Sequence, residues 1–417
     1  MTTAAAPRAA FRSHIAGMPK QFWVLWWGQL GNRIGGVIRP FLAIYLTGVR
    51  HRSVAEVGLL LGCIGLGGLA AQPVGGHLSD RLGRRRVLIG ALLASAAAAL
   101  CLGQARSTWA LALFCVVNGF CADLYRPPSS AAVADIVKPA DRVRAYGLLF
   151  WAANAGFAAA AVIGGIAANI SYSSIFVIDA ATTLAFAAVI WLRFPETQHA
   201  EQREQARASS GFREVLRDRV MLAVVGCVIA SATVYMQVDS TMAVVMRRHG
   251  IEPALYGAII ALNGIIIVVC QPWAVTVTAR VARVPVLSAS AVVMAIGFAL
   301  TRVCGGSVLA YALTLVIWTL GEVMQAGLFA TIVGDLAPPH LRGRYMGIFG
   351  FSFGASAMLA PVIGTQVLAH GGETGLWLGA GNLMLISGIG FALLEPKLRA
   401  RGAAGPESPQ WRAQRGV

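Results

Sequence analysis

The feature that most restricts this chain is its succession of apolar blocks about 20 residues long. A hydrocarbon core roughly 30 Å thick needs about 20 apolar residues in helical form. Inside it every backbone polar group must be satisfied internally, which favours helices as the spanning element. Spans are predicted near residues 22–47, 54–77, 87–104, 108–135, 143–168 and 174–194. After a polar interval come six more, near 220–246, 254–279, 285–303, 307–335, 343–369 and 375–394. A hydrophobic fraction of 57% against 12% charged residues suits a lipid-facing surface better than a watery one. The first block is too long for a signal-peptide core and has no small-residue cleavage site after it, so it is expected to stay in the mature protein.

A formal net charge of +16 raises the question of nucleic acid. The distribution of the charge answers it. Arg50, Arg52, Arg106, Arg247, Arg248 and Arg302 fall in loops on one side, and Arg33, Arg39 and Arg126 lie inside spans. The remaining 25 of the 34 basic residues fall on the other side, with both termini. Such an asymmetry places that side and both termini in the cytoplasm of a multi-pass protein of the cell membrane, and no nucleic-acid partner is implied. The seven cysteines lie in or at the ends of spans without metal-ligand spacing, and read as small core residues.

The polar interval sits at the middle of the chain, and the two sides match. Shifted by 199, Ala55, Gly58 and Gly65 fall on Ala254, Gly257 and Gly264; Gln72-Pro73 falls on Gln271-Pro272, Arg81 on Arg280 and Arg84 on Arg283. Shifted by 200, Asp135, Pro139, Arg144 and Gly147 meet Asp335, Pro339, Arg344 and Gly347. This is a duplication. The expected architecture is all-α integral membrane, twelve helices in two pseudo-symmetric six-helix bundles, 22–194 and 220–395. A cytoplasmic tail (1–21), a linker (195–219) and a second tail (396–417) complete it. Parallel repeats of this kind suit a rocking transporter with a site between the halves near the midplane.

The most specific motif is Gly76-His-Leu-Ser-Asp80-Arg81-Leu-Gly83-Arg84-Arg85-Arg86, at the end of the second span. Gly76 and Gly83 allow a tight turn and close helix approach, and the arginines hold the loop in the cytoplasm. On these residues the chain resembles the major facilitator superfamily, whose signature joins helices 2 and 3. The resemblance covers almost the whole chain. It implies the major facilitator fold, alternating access, and a cavity lined by helices 1, 4, 7 and 10. It also implies a conformational latch at Gly76, Asp80, Arg81, Gly83, Arg84 and Arg85. The second copy carries Ala279 where the first has Asp80, so one such latch is expected. A looser resemblance is to the twelve-helix drug:proton antiporter branch. Its helix 5 glycine/proline motif is represented by Gly156, Gly164 and Gly165, with the proline in the helix 11 copy, Pro361 and Gly364. Ala160-Ala161 stands where that branch has Gly-Pro, and Cys115 where it has an arginine.

Charge inside a bilayer costs roughly 2.5–3.5 kcal/mol by insertion scales, so each instance needs a reason. The deep charges are Arg33 and Arg39 in span 1, Asp123 and Arg126 in span 4, Asp239 in span 7 and Glu322 in span 10, with Asp179 in span 6 as an outlier. Spans 1, 4, 7 and 10 are the helices that the resemblance places around the cavity. Asp123 and Arg126 are three apart on one helix face, and Pro127-Pro128 should break span 4 beside them. Glu322 has no charged neighbour in its own turn, and a lone carboxyl out of water accepts a proton readily. Glu322, Asp123, Arg126 and Asp239 are therefore the proton-coupling candidates, and Asp239 is a possible outer-gate partner for Arg39. Arg33, Arg39, Asn32, Tyr125, Trp151, Tyr235, Gln237, Trp318 and Gln325 are the substrate-cavity candidates.

There is no nucleotide-binding loop, no H-E-x-x-H and no G-x-S-x-G, so neither ATP nor an enzymatic reaction is expected. The expected function is secondary transport without a cofactor or metal, driven by the proton gradient and exporting amphipathic small molecules or drugs from a monomer. Two alternatives stand beside it: a proton-coupled importer of a polar or anionic metabolite, and a non-transporting receptor or scaffold of the same fold.

Overall fold

The structure is a computed structural model that describes residues 17–138, 141–197, 215–278, 281–338 and 342–403. The side chains of Asp80, 142–144, 272, 275–276 and 342–343 are outside that description. Most of the expected tails and linker (1–16, 198–214, 404–417) likewise lies outside the described residues.

Among the described residues, ten helices are long and apolar enough to cross a membrane. Two further features bear on the expected twelve. The last helix, α15 (Arg342–Ala400), has 59 residues, about twice what one crossing needs, and it turns at Gly372 with φ 68° and ψ −173°. The first crossing is made of two short pieces, α1 (Lys20–Ile34) and α2 (Ile38–Gly48), neither long enough alone. The intervening elements are α3 (Val54–Leu82), α4 (Arg84–Gln104), α5 (Thr108–Leu124), α6 (Arg126–Ile136), α7 (Arg142–Ile170) and α8 (Tyr172–Arg193). The second half has α9 (Arg219–Tyr235), α10 (Ala243–Arg248), α11 (Pro253–Thr278), α12 (Arg283–Leu300), α13 (Val308–Gln325) and α14 (Leu328–Leu336). Outward-facing Leu59, Leu66, Ile166, Val177, Ile389 and Leu393 are exposed, as a surface facing lipid tails allows.

The apolar side chains form cores of different extent. One large core takes residues from both halves, from Val37–Leu46 through Val238–Met246 to Trp377. It lies toward the ends of the helices remote from the Gly83 turn, here called the far face. Toward the Gly83 turn, the signature face, the cores are separate, the two larger ones lying one in each half beside a small cluster at Ile267, Ala274 and Val323. One belongs to the first half (Phe22, Trp26, Leu88, Val133, Phe194) and the other to the second (Met221, Val224, Leu287, Val333, Leu398). The halves thus share one apolar core at the far face and keep separate cores at the signature face.

Small residues make that shared core possible. A Cβ on Gly165 would strike the Pro253 carbonyl and Ala254, one on Gly257 the Ala161 carbonyl, and one on Gly58 the Thr365 side chain. These contacts join α7 to α11 and α3 to α15 across the halves. Gly156 and Gly164 meet α1 and α2 instead, against Arg33 and Phe41. The expectation of a close approach at Gly76 is corrected. Gly76 faces open space, and its neighbour Gly75 is the residue pressed on the Leu124 carbonyl.

At the signature face the loop between α3 and α4 turns at Gly83, whose φ of 98° is open to glycine. The Glu196 carboxylate, just after α8, accepts the Arg84 N–H at 2.8 Å and the Arg85 N–H at 3.2 Å, capping α4. Arg84 also reaches Asp135 at 3.4 Å, and its repeat mate Arg283 pairs with Asp335 at 2.5 Å. Arg81 is exposed. Asp80 stands in the last turn of α3, and its side chain is outside the described residues.

Candidate functional site

Four crossings are interrupted at similar depth. The first breaks at Gly35-Val37 between α1 and α2. The fourth breaks at Tyr125, where Pro127 and Pro128 occupy the first turn of α6, a place that needs no N–H donor. The seventh passes through a π-helical turn, Val238–Met242, in which Met242 N–H bonds to the Gln237 carbonyl at 3.0 Å. The tenth breaks at Ala326-Gly327, where Gly327 has φ 78°. Of these breaks, the sequence reading anticipated that at the proline pair. Broken helices near the midplane free carbonyls and expose helix ends to a ligand, the arrangement found at transporter sites.

The intramembrane charges flank these breaks. In the first half Asp123 is held by two guanidinium groups. Arg39 Nη2 and Arg126 Nε both lie 2.9 Å from its Oδ1. Arg33 adds its charge from nearby. Asp179 joins them, lining one cavity with them and lying close enough to Arg39 and Arg33 to feel their charge. A cavity of about 70 Å³ runs among these groups, walled also by Asn32, Asn118 and Tyr125. Asn32 Oδ1 accepts the Thr183 hydroxyl at 2.9 Å, which fixes its orientation. Asp179, the outlier among the deep charges of the sequence, is brought to Arg39 by three-dimensional packing.

In the second half the chemistry differs. Glu322 accepts a hydrogen bond from the Asn263 amide at 2.8 Å, and that amide also reaches Thr319 at 3.0 Å. Tyr235 lies close enough to feel the Glu322 charge. Asp239 sits in the π-helical turn with one carboxylate oxygen buried and unpartnered. Arg39 pairs with Asp123, and Asp239, a candidate outer-gate partner from the sequence, acts on Arg39 only through space. Asn263 was missed. Its signal was modest: a single amide inside an otherwise apolar span.

The aromatic and amide candidates separate. Tyr125 borders the cavity, its ring edge-on to Phe186. Trp151 is half exposed and stacks on Trp26 at 6.2 Å. Gln325 ends α13 beside the break and accepts the Ser231 hydroxyl at 3.4 Å. Two candidates are corrected. Trp318 is fully buried, stacked on Phe298 at 5.3 Å, because the far-face core closes over it. Gln237 is buried as well, its amide spent on the Ala360 carbonyl at 2.9 Å and on Thr241 at 2.9 Å. Gly364 leaves the room for Gln237, since a Cβ there would overlap its side chain. Pro361 lies within α15 next to that contact. The helix 11 motif thus secures α15 to the seventh crossing.

Comparison with known proteins agrees with this geometry. A sequence profile for the Major Facilitator Superfamily matches residues 25–361 and again 238–415. The chain is 27% identical to a Na(+), Li(+), K(+)/H(+) antiporter of Planococcus maritimus, over 78% of this chain and 84% of that protein. It is also 27% identical to the multidrug resistance protein MdtH of Cronobacter sakazakii, over 77% and 80% of the two chains. Among solved structures, a POT family transporter in complex with a thioalcohol-conjugated peptide superposes with a TM-score of 0.76 at 14% identity. That match covers 92% of this chain and 97% of that one.

Proposed function

We propose that this chain, which belongs to the major facilitator superfamily, is a proton-coupled exporter of amphipathic small molecules working by alternating access. It is a secondary membrane transporter and not an enzyme; direction, coupling ion and substrate are the proposal. The observation that carries it is Glu322, an intramembrane carboxylate bonded to the neutral Asn263 amide at 2.8 Å, beside a broken helix. A proton can come and go there without rupturing an ion pair. The names of the two relatives, one a cation/proton antiporter and one a multidrug resistance protein, support exchange and efflux. The signature face is taken as cytoplasmic from its arginine excess. With the halves keeping separate cores on that side, the described state would be the one that loads substrate from the cell. Asp123, Arg126 and Arg39 would then form the charged floor that senses the substrate, and the Gly83 loop the latch on the loading side.

A second reading has an observation in its favour. The cavity of the first half is small and lined by Arg33, Arg39, Arg126 and Asn32, which suits a small polar or anionic group better than a bulky drug. On that reading the chain is a proton-coupled importer of a polar metabolite.

Inverted vesicles decide between them. With an imposed proton gradient, cationic dyes should accumulate in wild-type vesicles, and Glu322→Gln should lose gradient-driven accumulation by about a hundredfold while retaining substrate exchange. Accumulation of no dye, together with gradient-dependent movement of an anionic metabolite, would replace export with import. Full coupling in Glu322→Gln would remove the carboxylate from the mechanism.

A further inference from the structure

A second cavity, of about 520 Å³, lies on the far face at the seam between the halves. Arg52 and Ser53 wall it from the first half, and Val244, Arg247 and Arg248 from the second. None of its lining residues is a carboxylate. Neighbouring acids are engaged elsewhere. Glu56 accepts the Ser53 N–H and hydroxyl, each at 2.9 Å, and reaches Arg52 only through space. Glu373 pairs with His249 at 2.9 Å. Arg52 is pinned by the Arg106 carbonyl, 2.7 Å from its Nη2, while its Nε is buried with no hydrogen-bond partner. Arg247 and Arg248 are exposed, and among the described residues no ion pair involves any of the three.

Three guanidinium groups from both halves line a cavity with no carboxylate among its walls, and the far face closes in spite of their repulsion. The geometry points to an oxyanion site: a phosphate- or carboxylate-class anion seated between Arg52 and the Arg247–Arg248 pair, bridging the two halves. Guanidinium forks match oxyanions in shape and charge. Arg52 moves with one half and Arg247 and Arg248 with the other, so the site is complete only while the far face is shut. By linkage, the anion stabilises the state with that face closed and is released when it opens. This site is separate from the central charges and its regulation does not depend on which substrate the transporter carries. Two sources supply the same chemistry: a free oxyanion, or the phosphate of an anionic lipid headgroup at the rim.

The test uses full-length protein in phosphatidylcholine nanodiscs. Thermal stability is titrated with inorganic phosphate against chloride at constant ionic strength. In parallel, phosphatidylglycerol replaces part of the lipid without added phosphate. Spin labels across the far face report its closure. Wild type should gain about 2 °C at an anion concentration tenfold above its Kd, with a narrowed far-face distance. Arg302→Gln, which removes a far-face arginine outside the cavity, should respond like wild type. Arg52→Gln and the double variant Arg247→Gln, Arg248→Gln should bind at least about tenfold more weakly. A phosphate response assigns a soluble anion, and a response to phosphatidylglycerol alone assigns a headgroup. No response of wild type to either, a result independent of any variant's folding, overturns the proposal. So does an undiminished response in the glutamine variants.

Discussion

Asp123 and Glu322 fall beside each other in the register of the two repeats, on the fourth and tenth crossings, yet they live in opposite surroundings. Asp123 is clasped by Arg39 and Arg126, each at 2.9 Å, with Arg33 close by. Glu322 has an asparagine amide at 2.8 Å and a tyrosine nearby. The first half keeps its acid as the anchor of a cationic cluster. The second keeps its acid in neutral company, where exchanging a proton disturbs little else. The comparison teaches that pseudo-symmetry of the backbone and asymmetry of the chemistry coexist.

The sharpest way to break this comparison is to neutralise each acid in turn. Asp123→Asn removes the carboxylate that pairs with Arg39 and Arg126 and should destabilise the protein by about 3 kcal/mol, with transport falling about a hundredfold. Glu322→Gln should change stability by less than about 1 kcal/mol, because an amide can still meet Asn263. Denaturation of both variants in one detergent checks it, and equal losses would mean that the two sites are alike.

The closed far face offers the next contrast. Gly257→Leu drives a side chain into the Ala161 carbonyl and should part the halves there. Hydrogen exchange in the far-face ends of α7 and α11 should then rise about tenfold, with no change in α4. Asn263→Ala is milder. It removes the amide from Glu322, at about 1 kcal/mol, and should shift the pH dependence of transport without abolishing it.

The smallest effect concerns the caps at the signature face. Partial burial disfavours the ionised Asp218 carboxylate. Hydrogen bonds from Arg401 at 2.6 Å, Tyr345 at 2.8 Å and the Met221 N–H outweigh this and hold its pKa below the ordinary aspartate range. The sign follows from linkage: the contribution is complete above the ordinary value of about 3.9 and is lost as pH falls through the lower folded value. Between pH 5 and pH 8 melting should therefore be insensitive to this group. Asp218→Asn should lower Tm by a degree or two across that whole range, as a thermal melt series would register.

Much of this protein is legible from its residues because the bilayer leaves few options. A block of 20 apolar residues becomes a crossing helix, and two proline residues after Arg126 end one helix and start another. The deep charges announce themselves by their cost. Asn263 was harder to see, since one amide in an apolar span has many possible neighbours. The break at Gly327 was missed because its signal is a single glycine with no proline.

The sequence by itself determined the membrane class, the duplicated plan, the signature loop and the set of intramembrane charges, all of which follow from local composition and register. Only the tertiary structure decided that Arg39 joins Asp123 and not Asp239, that Trp318 and Gln237 are core, and that the far face is the closed one. Those outcomes depend on the rotation of each helix about its axis and on which helices touch. Such facts arise from packing between residues distant in the chain, which local periodicity does not encode.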